Sequence, residues 1–175
     1  MDMINRSEFE KAIGQLSIAW ALAEHALDRC IGVIFYAKGG DQIKEELPLN
    51  ARAKIKFFRK ACNRLDFCKD DIEHANEMAD YAYKALDDRN WCIHGAALAT
   101  APEFFSPEIE IVRYTRPQMD ELESRVVTIG EIESIRMDCL RLLFAFGFFL
   151  YKPLDTLTKE HVQKVFDDAG IEFTL

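Results

Sequence analysis

No two of the five cysteines in this 175-residue chain (Cys30, Cys62, Cys68, Cys92, Cys139) form a C-x-x-C pair. An odd, scattered set argues against a disulfide framework or a zinc knuckle and fits a reducing cytosol, so a cytoplasmic protein is expected. Positive charge is also short. The formal net charge is −8, which excludes coating nucleic acid by bulk electrostatics but leaves room for a local basic patch. Met1 to Lys11 contain no apolar h-region, so no signal peptide is expected. The longest greasy stretch, Leu142 to Tyr151, is about ten residues, roughly half a membrane span, so no membrane partner is expected. Neither a Gly-rich phosphate loop nor a Ser/His/Asp arrangement can be read from the chain. His25, His74 and His161 have no ligand-like spacing to cysteines or carboxylates, so no metal and no cofactor is expected.

What the chain does have is helical periodicity. Hydrophobic residues make up 49% and charged residues 30%, a globular balance suited to one domain. Phe9, Ile13, Leu16, Trp20, Ala23, Leu27, Cys30 and Ile34 recur at alternating steps of four and three and predict one long helix. It ends near Lys38-Gly39-Gly40. Ile18, Leu22 and Val33 form a second stripe, which predicts cover on more than one side. A second helix follows Asn50 as N-cap and packs through Ile55, Phe58, Cys62 and Leu65. A third opens around Asp70-Asp71 and runs through Ile72, Ala75, Ala79, Ala82 and Leu86 to Gly95. Between Ala96 and Pro117 the period changes to two, with Ile109, Ile111 and Arg113 alternating against Glu110, Val112 and Tyr114. A small hairpin is predicted there, with Pro102 and Pro107 bracketing a turn. Thr128-Ile129-Gly130-Glu131 reads as a capping box for a fourth long helix, apolar all round near Phe144, Phe148 and Leu150. The expected fold is all-α: an antiparallel four- to five-helix bundle over residues 1–151, with a β-hairpin insertion before the last long helix. Residues 152–175 are expected to form a tail or a short helix.

The run Asp87-Asp88-Arg89-Asn90-Trp91-Cys92-Ile93-His94-Gly95 carries the chemistry. It puts an arginine, an amide and an imidazole on the closing turns of the third helix. Arg89 occupies a seam position that earlier turns fill with apolar side chains, so it needs a partner, a solvent-filled cleft or an anionic ligand. Asn90 and His94 are four apart and share a face. Arg89 and His94 are about 140° apart on an ideal helix, which predicts that they flank a groove without touching. At a helix C-terminus the dipole favours a charged imidazole. The competing structural account pairs Arg89 with Asp87, Asp88 or Glu24 and uses His94 to cap carbonyls.

The order Arg89-Asn90-x-x-x-His94-Gly95 at a helix end, followed by a hairpin and another apolar helix, resembles the HEPN superfamily of helical-bundle proteins. The likeness covers about residues 8–151. It implies a metal-independent endoribonuclease of toxin-like or antiviral-defence type. Such members work as homodimers that bring two motifs into one cleft, and RNA and a cognate antitoxin protein are the implied partners. Within that scheme His94 is the acid/base, Arg89 stabilises the phosphate, and Asn90 orients the phosphate or the ring. The alternative within the superfamily is a non-catalytic dimeric module that binds a nucleotide or a protein. A third option is a structural dimerisation bundle with a vestigial motif, which predicts Arg89 closed off by an intramolecular carboxylate.

Other residues carry weaker signals. Arg52, Lys54, Lys56, Arg59, Lys60 and Arg64 lie on the second helix with no acid between Ala51 and Leu65. Of these, Arg52, Lys56, Arg59 and Lys60 are candidate RNA contacts, the opposing account being a solvated face that complements nearby acids. Trp91 is a candidate base-stacking platform, whereas Trp20 reads as core. Glu24 is a candidate buttress for Arg89 or His94, against the plainer expectation of an exposed flank with His25 and Asp28.

Overall fold

A computed structural model describes residues 4–98, 104–105, 108–114 and 122–151. In chain order these form β1 (Ile4–Asn5), α1 (Arg6–Ala37), a 3-10 turn (Gly40–Gln42), α2 (Ala51–Arg64), α3 (Lys69–His94), β2 (Ala96–Leu98), β3 (Phe104–Phe105), β4 (Ile109–Tyr114), β5 (Leu122–Val127) and α4 (Ile129–Tyr151). The chain is mostly helical with a small antiparallel sheet. None of the described helices is long and apolar enough to cross a membrane. The Pro102/Pro107 turn and the tail expected after Tyr151 lie outside the described residues.

Local chemistry explains where the helices begin and end. Asn50 has extended backbone and its side chain accepts from the Ala53 N–H at 2.8 Å, so α2 starts on a satisfied donor. Thr128 and Glu131 cap α4 reciprocally: Glu131 Oε2 accepts from the Thr128 N–H at 2.7 Å, and Thr128 Oγ1 accepts from the Glu131 N–H at 3.1 Å. Beyond α1, Gly39 takes φ 80°, a left-handed conformation that glycine adopts at low cost.

The seam residues of α1 pack as expected, with Leu16, Trp20, Leu27, Cys30 and Ile34 buried. The second stripe differs. Ile18, Leu22 and Val33 are 65%, 44% and 45% exposed, so that side of α1 is not covered by the described fold. Phe58 and Phe146 are among the largest fully buried side chains and meet edge to face with centroids 5.4 Å apart. Each such buried ring contributes about 1.5–3 kcal/mol.

The expected antiparallel arrangement requires correction for the outer pairs. Arg52 bonds Asp87 while Asn63 bonds Asn76, so α2 and α3 do run antiparallel. Lys54, however, meets Glu24 and Asp28, and three residues later Phe57 packs on Phe35, so α2 runs the same way as α1. Helices α1 and α4 are parallel as well. Ala12 and Gln15 lie beside Ile129 and Glu133, and Cys30 Sγ donates to the Phe146 carbonyl at 3.0 Å. The segment of residues 38–50 is long enough to return the chain to the level of Glu24 before α2 starts, and a short turn would have forced reversal.

The hairpin is also extended into a three-stranded sheet of order β2-β4-β5, with Ala96 opposite Val112 and Ile111 opposite Arg125. Ile109, Ile111 and Val127 are buried. Strand β5 escapes sequence reading because Glu123, Ser124 and Arg125 break the alternation of apolar residues.

Candidate functional site

The acids around the end of α3 are already engaged. Arg52 Nη2 donates to Asp87 Oδ1, and Arg125 Nη1 donates to Asp88 Oδ1 at 2.6 Å. Glu24 accepts from Trp20 Nε1 at 3.0 Å and from Lys54 Nζ at 2.8 Å. Lys54 also reaches Asp28 at 2.9 Å. Burial alone would lower the Lys54 pKa, but the hydrogen bonds to Asp28 and Glu24 outweigh it and hold the ammonium above its ordinary value.

Arg89 therefore stands among acids that other cations hold. Its Nη1 donates to Asn90 Oδ1 at 2.9 Å and lies 3.1 Å from His94 Nε2. Its Cζ is 6.0 Å from the Trp20 ring centroid, and its buried Nε has no hydrogen-bond partner. Among the described residues no carboxylate forms an ion pair with it. The predicted pairing with Asp87, Asp88 or Glu24 does not form, and Arg89 is not closed off in that way. Burial lowers its pKa, and the charge of Glu24 offsets part of the effect. Glu24 thus acts on Arg89 through space, without a bond.

One geometric expectation is overturned. Arg89 and His94 touch. The Cα–Cβ directions diverge as on an ideal helix, but the long arginine side chain turns across Asn90, which lies between the two positions and accepts one of its hydrogens. An Nη1–H can donate to Nε2 only when that nitrogen carries no proton, so in this arrangement the ring proton sits on Nδ1. His94 is the last residue of α3 and is exposed.

Gly95 closes the helix through its N–H, which donates to the Trp91 carbonyl at 3.2 Å. Its φ of −85° is ordinary, so backbone freedom does not explain the glycine. Space does. A Cβ at this position would sit 2.1 Å from Ile111 Cγ2 and 2.8 Å from the Trp91 carbonyl oxygen. The glycine lets the His94 turn press against β4.

Of the predicted RNA-contact residues, Arg52 alone on α2 reaches the last turns of α3, and it does so through Asp87. Arg59 is tied to Asp80, farther from the motif. Lys56 and Lys60 are exposed, with no ion pair among the described residues. Trp91 is half-buried and one face of its ring is occupied: Arg113 Cζ lies 3.8 Å from the centroid. Arg113 is a further candidate site residue that the α3 motif does not mark. Its signal was a charge at the inward-facing position that follows Ile109 and Ile111 in an alternating strand. Among the described residues, no group of three or more His, Cys, Asp or Glu gathers. No family model, curated protein or solved structure matches this chain.

Proposed function

We propose that the protein is a metal-independent endoribonuclease of HEPN type, acting in the cytosol as a toxin-like or defence effector and working as a homodimer. The observation that carries this reading is the state of Arg89. In a chain of net charge −8, a half-buried guanidinium that bonds no carboxylate among the described residues lies beside an exposed imidazole and donates to the neutral Asn90 amide. A cation kept free of carboxylates is matched to an anion that arrives from solution.

The chemistry follows from the contacts. An entering phosphodiester accepts the Nη1–H now directed at His94, which frees the Nε2 lone pair. His94 Nε2 then takes the proton of the 2′-hydroxyl as that oxygen attacks phosphorus. Charge growing on the phosphoryl oxygens is met by Arg89, whose planar fork suits two oxygens at once. Asn90 holds the guanidinium in place. The P–O5′ bond breaks, the 5′-oxygen takes a proton, and the products are a 2′,3′-cyclic phosphate and a 5′-hydroxyl. One imidazole cannot hold and release a proton on both sides of the phosphorus at once, so His94 of a second copy is the natural acid.

The Arg89–His94 contact also favours a second reading, a non-catalytic module that binds a nucleotide or a protein, because the atom needed as base is capped in the free protein. Incubation of the purified protein with mixed RNA in EDTA, beside His94→Ala, separates the two. Cleavage by the parent alone, with cyclic-phosphate ends, supports the nuclease. Tight binding without cleavage supports the module, and equal cleavage by parent and variant overturns the mechanism.

A further inference from the structure

We infer that Arg113 is a second phosphate-binding arginine of the same site, so that the ligand is a single-stranded oligonucleotide bearing at least two phosphates. The inference rests on the RNA reading above but not on catalysis. Among the described residues, Arg52, Arg59, Arg125 and Arg141 each hold a carboxylate. Arg89 and Arg113 are the half-buried arginines that do not; the Nε of each is buried without a partner, as is that of the Asp80-bound Arg59. Two half-buried guanidinium groups with no carboxylate among the described residues are matched to an anion that completes them.

Their placement is joint. Ala96 pairs with Val112, so the next step of the antiparallel register sets Gly95 across from Arg113, directly after His94. Trp91, inside the motif, holds the Arg113 guanidinium against its ring at 3.8 Å. Glu123 is the Cα partner of Arg113 on β5, yet it is exposed and forms no ion pair with it. Sheet and helix thus converge on one turn, with one arginine supplied by each. The arginine on α3 contacts the imidazole and takes the scissile phosphate. The arginine on β4 is fixed on the tryptophan and takes a neighbouring one.

The test uses a fluorescent 2′-O-methyl oligoribonucleotide, which cannot be cleaved because the attacking hydroxyl is blocked, titrated by anisotropy across a salt series. Arg113→Met should lower the slope of log affinity against log salt by about 0.7, the value for one phosphate contact on a single strand. Binding of a dinucleoside monophosphate, with its single phosphate, should be unchanged by Arg113→Met and weakened by Arg89→Met. Arg113→Gln repeats the test if the methionine variant melts early. An unchanged slope in the folded variant overturns the inference, as does equal loss on the dinucleotide. If the parent binds the oligomer with the expected slope yet cleaves no RNA, the nuclease reading fails and the two-arginine site stands. If the parent binds no RNA, both fall.

Discussion

Lys54 Nζ holds Glu24 Oε1 at 2.8 Å, and Glu24 acts on Arg89 by its charge, without a bond to it. The Lys54 side chain is only 12% exposed, so this pairing is shielded from solvent. Lys54→Met should release Glu24 toward Arg89 and reduce phosphate affinity several-fold, an effect on the order of 1 kcal/mol. Adding Glu24→Gln in the same chain should restore it. RNA affinities of the parent, the single variant and the double variant check this, and an unaffected single variant would sink it.

The arginine and the histidine should fail in different ways. His94→Ala removes the proton carrier and should lower kcat by about 10²–10⁴, with binding of uncleavable RNA little changed. Arg89→Lys keeps a charge but loses the planar fork, so it should lower kcat and also weaken binding. Single-turnover kinetics alongside equilibrium binding resolve the two. Replacing the 2′-hydroxyl by hydrogen should abolish cleavage for every variant, since no attacking oxygen remains.

Gly95→Ala should destabilise the fold by roughly 1–3 kcal/mol, because a new methyl cannot share space with Ile111 Cγ2 at 2.1 Å. The cost appears as a lower urea midpoint at unchanged slope. A variant as stable as the parent would show that β4 can retreat from the His94 turn.

The thiols separate by burial. Burial pushes Cys30, Cys62 and Cys139 from an ordinary 9.0 up to about 12, and Cys92 to about 11. Cys68 is exposed. Iodoacetamide at mild pH should therefore label Cys68 well before the others, as mass spectrometry of the native protein can read. The folded thiols ionise later than the unfolded ones, so their contribution to stability is complete below pH 9 and is lost as pH rises toward 12. Thermal melts between pH 8 and 11 should fall, and the fall should be smaller in a Cys30→Ala, Cys62→Ala background.

Much of the helical framework was legible in the sequence because caps and periodicity act within four residues. Asn50 and Thr128 begin their helices as their side chains dictate, and the buried seam of α1 falls where the spacing of Leu16, Trp20 and Leu27 puts it. The seam violation at Arg89 was legible for the same reason. The direction of α2, the third strand and the contact between Arg89 and His94 were not. The first depends on where a long connection returns the chain, the second on backbone pairing that Glu123-Ser124-Arg125 do not advertise, and the third on the reach of a flexible side chain.

By itself the sequence determined that four amphipathic helices form and that an arginine, an amide and an imidazole end one of them, since both follow from neighbours along the chain. Only the tertiary structure decided which acids would neutralise which cations. Asp87, Asp88 and Glu24 chose Arg52, Arg125 and Lys54 from segments far away in the chain. Charge pairing in a packed protein is a competition among all groups that the fold brings within reach, and among the described residues it gave neither Arg89 nor Arg113 a carboxylate.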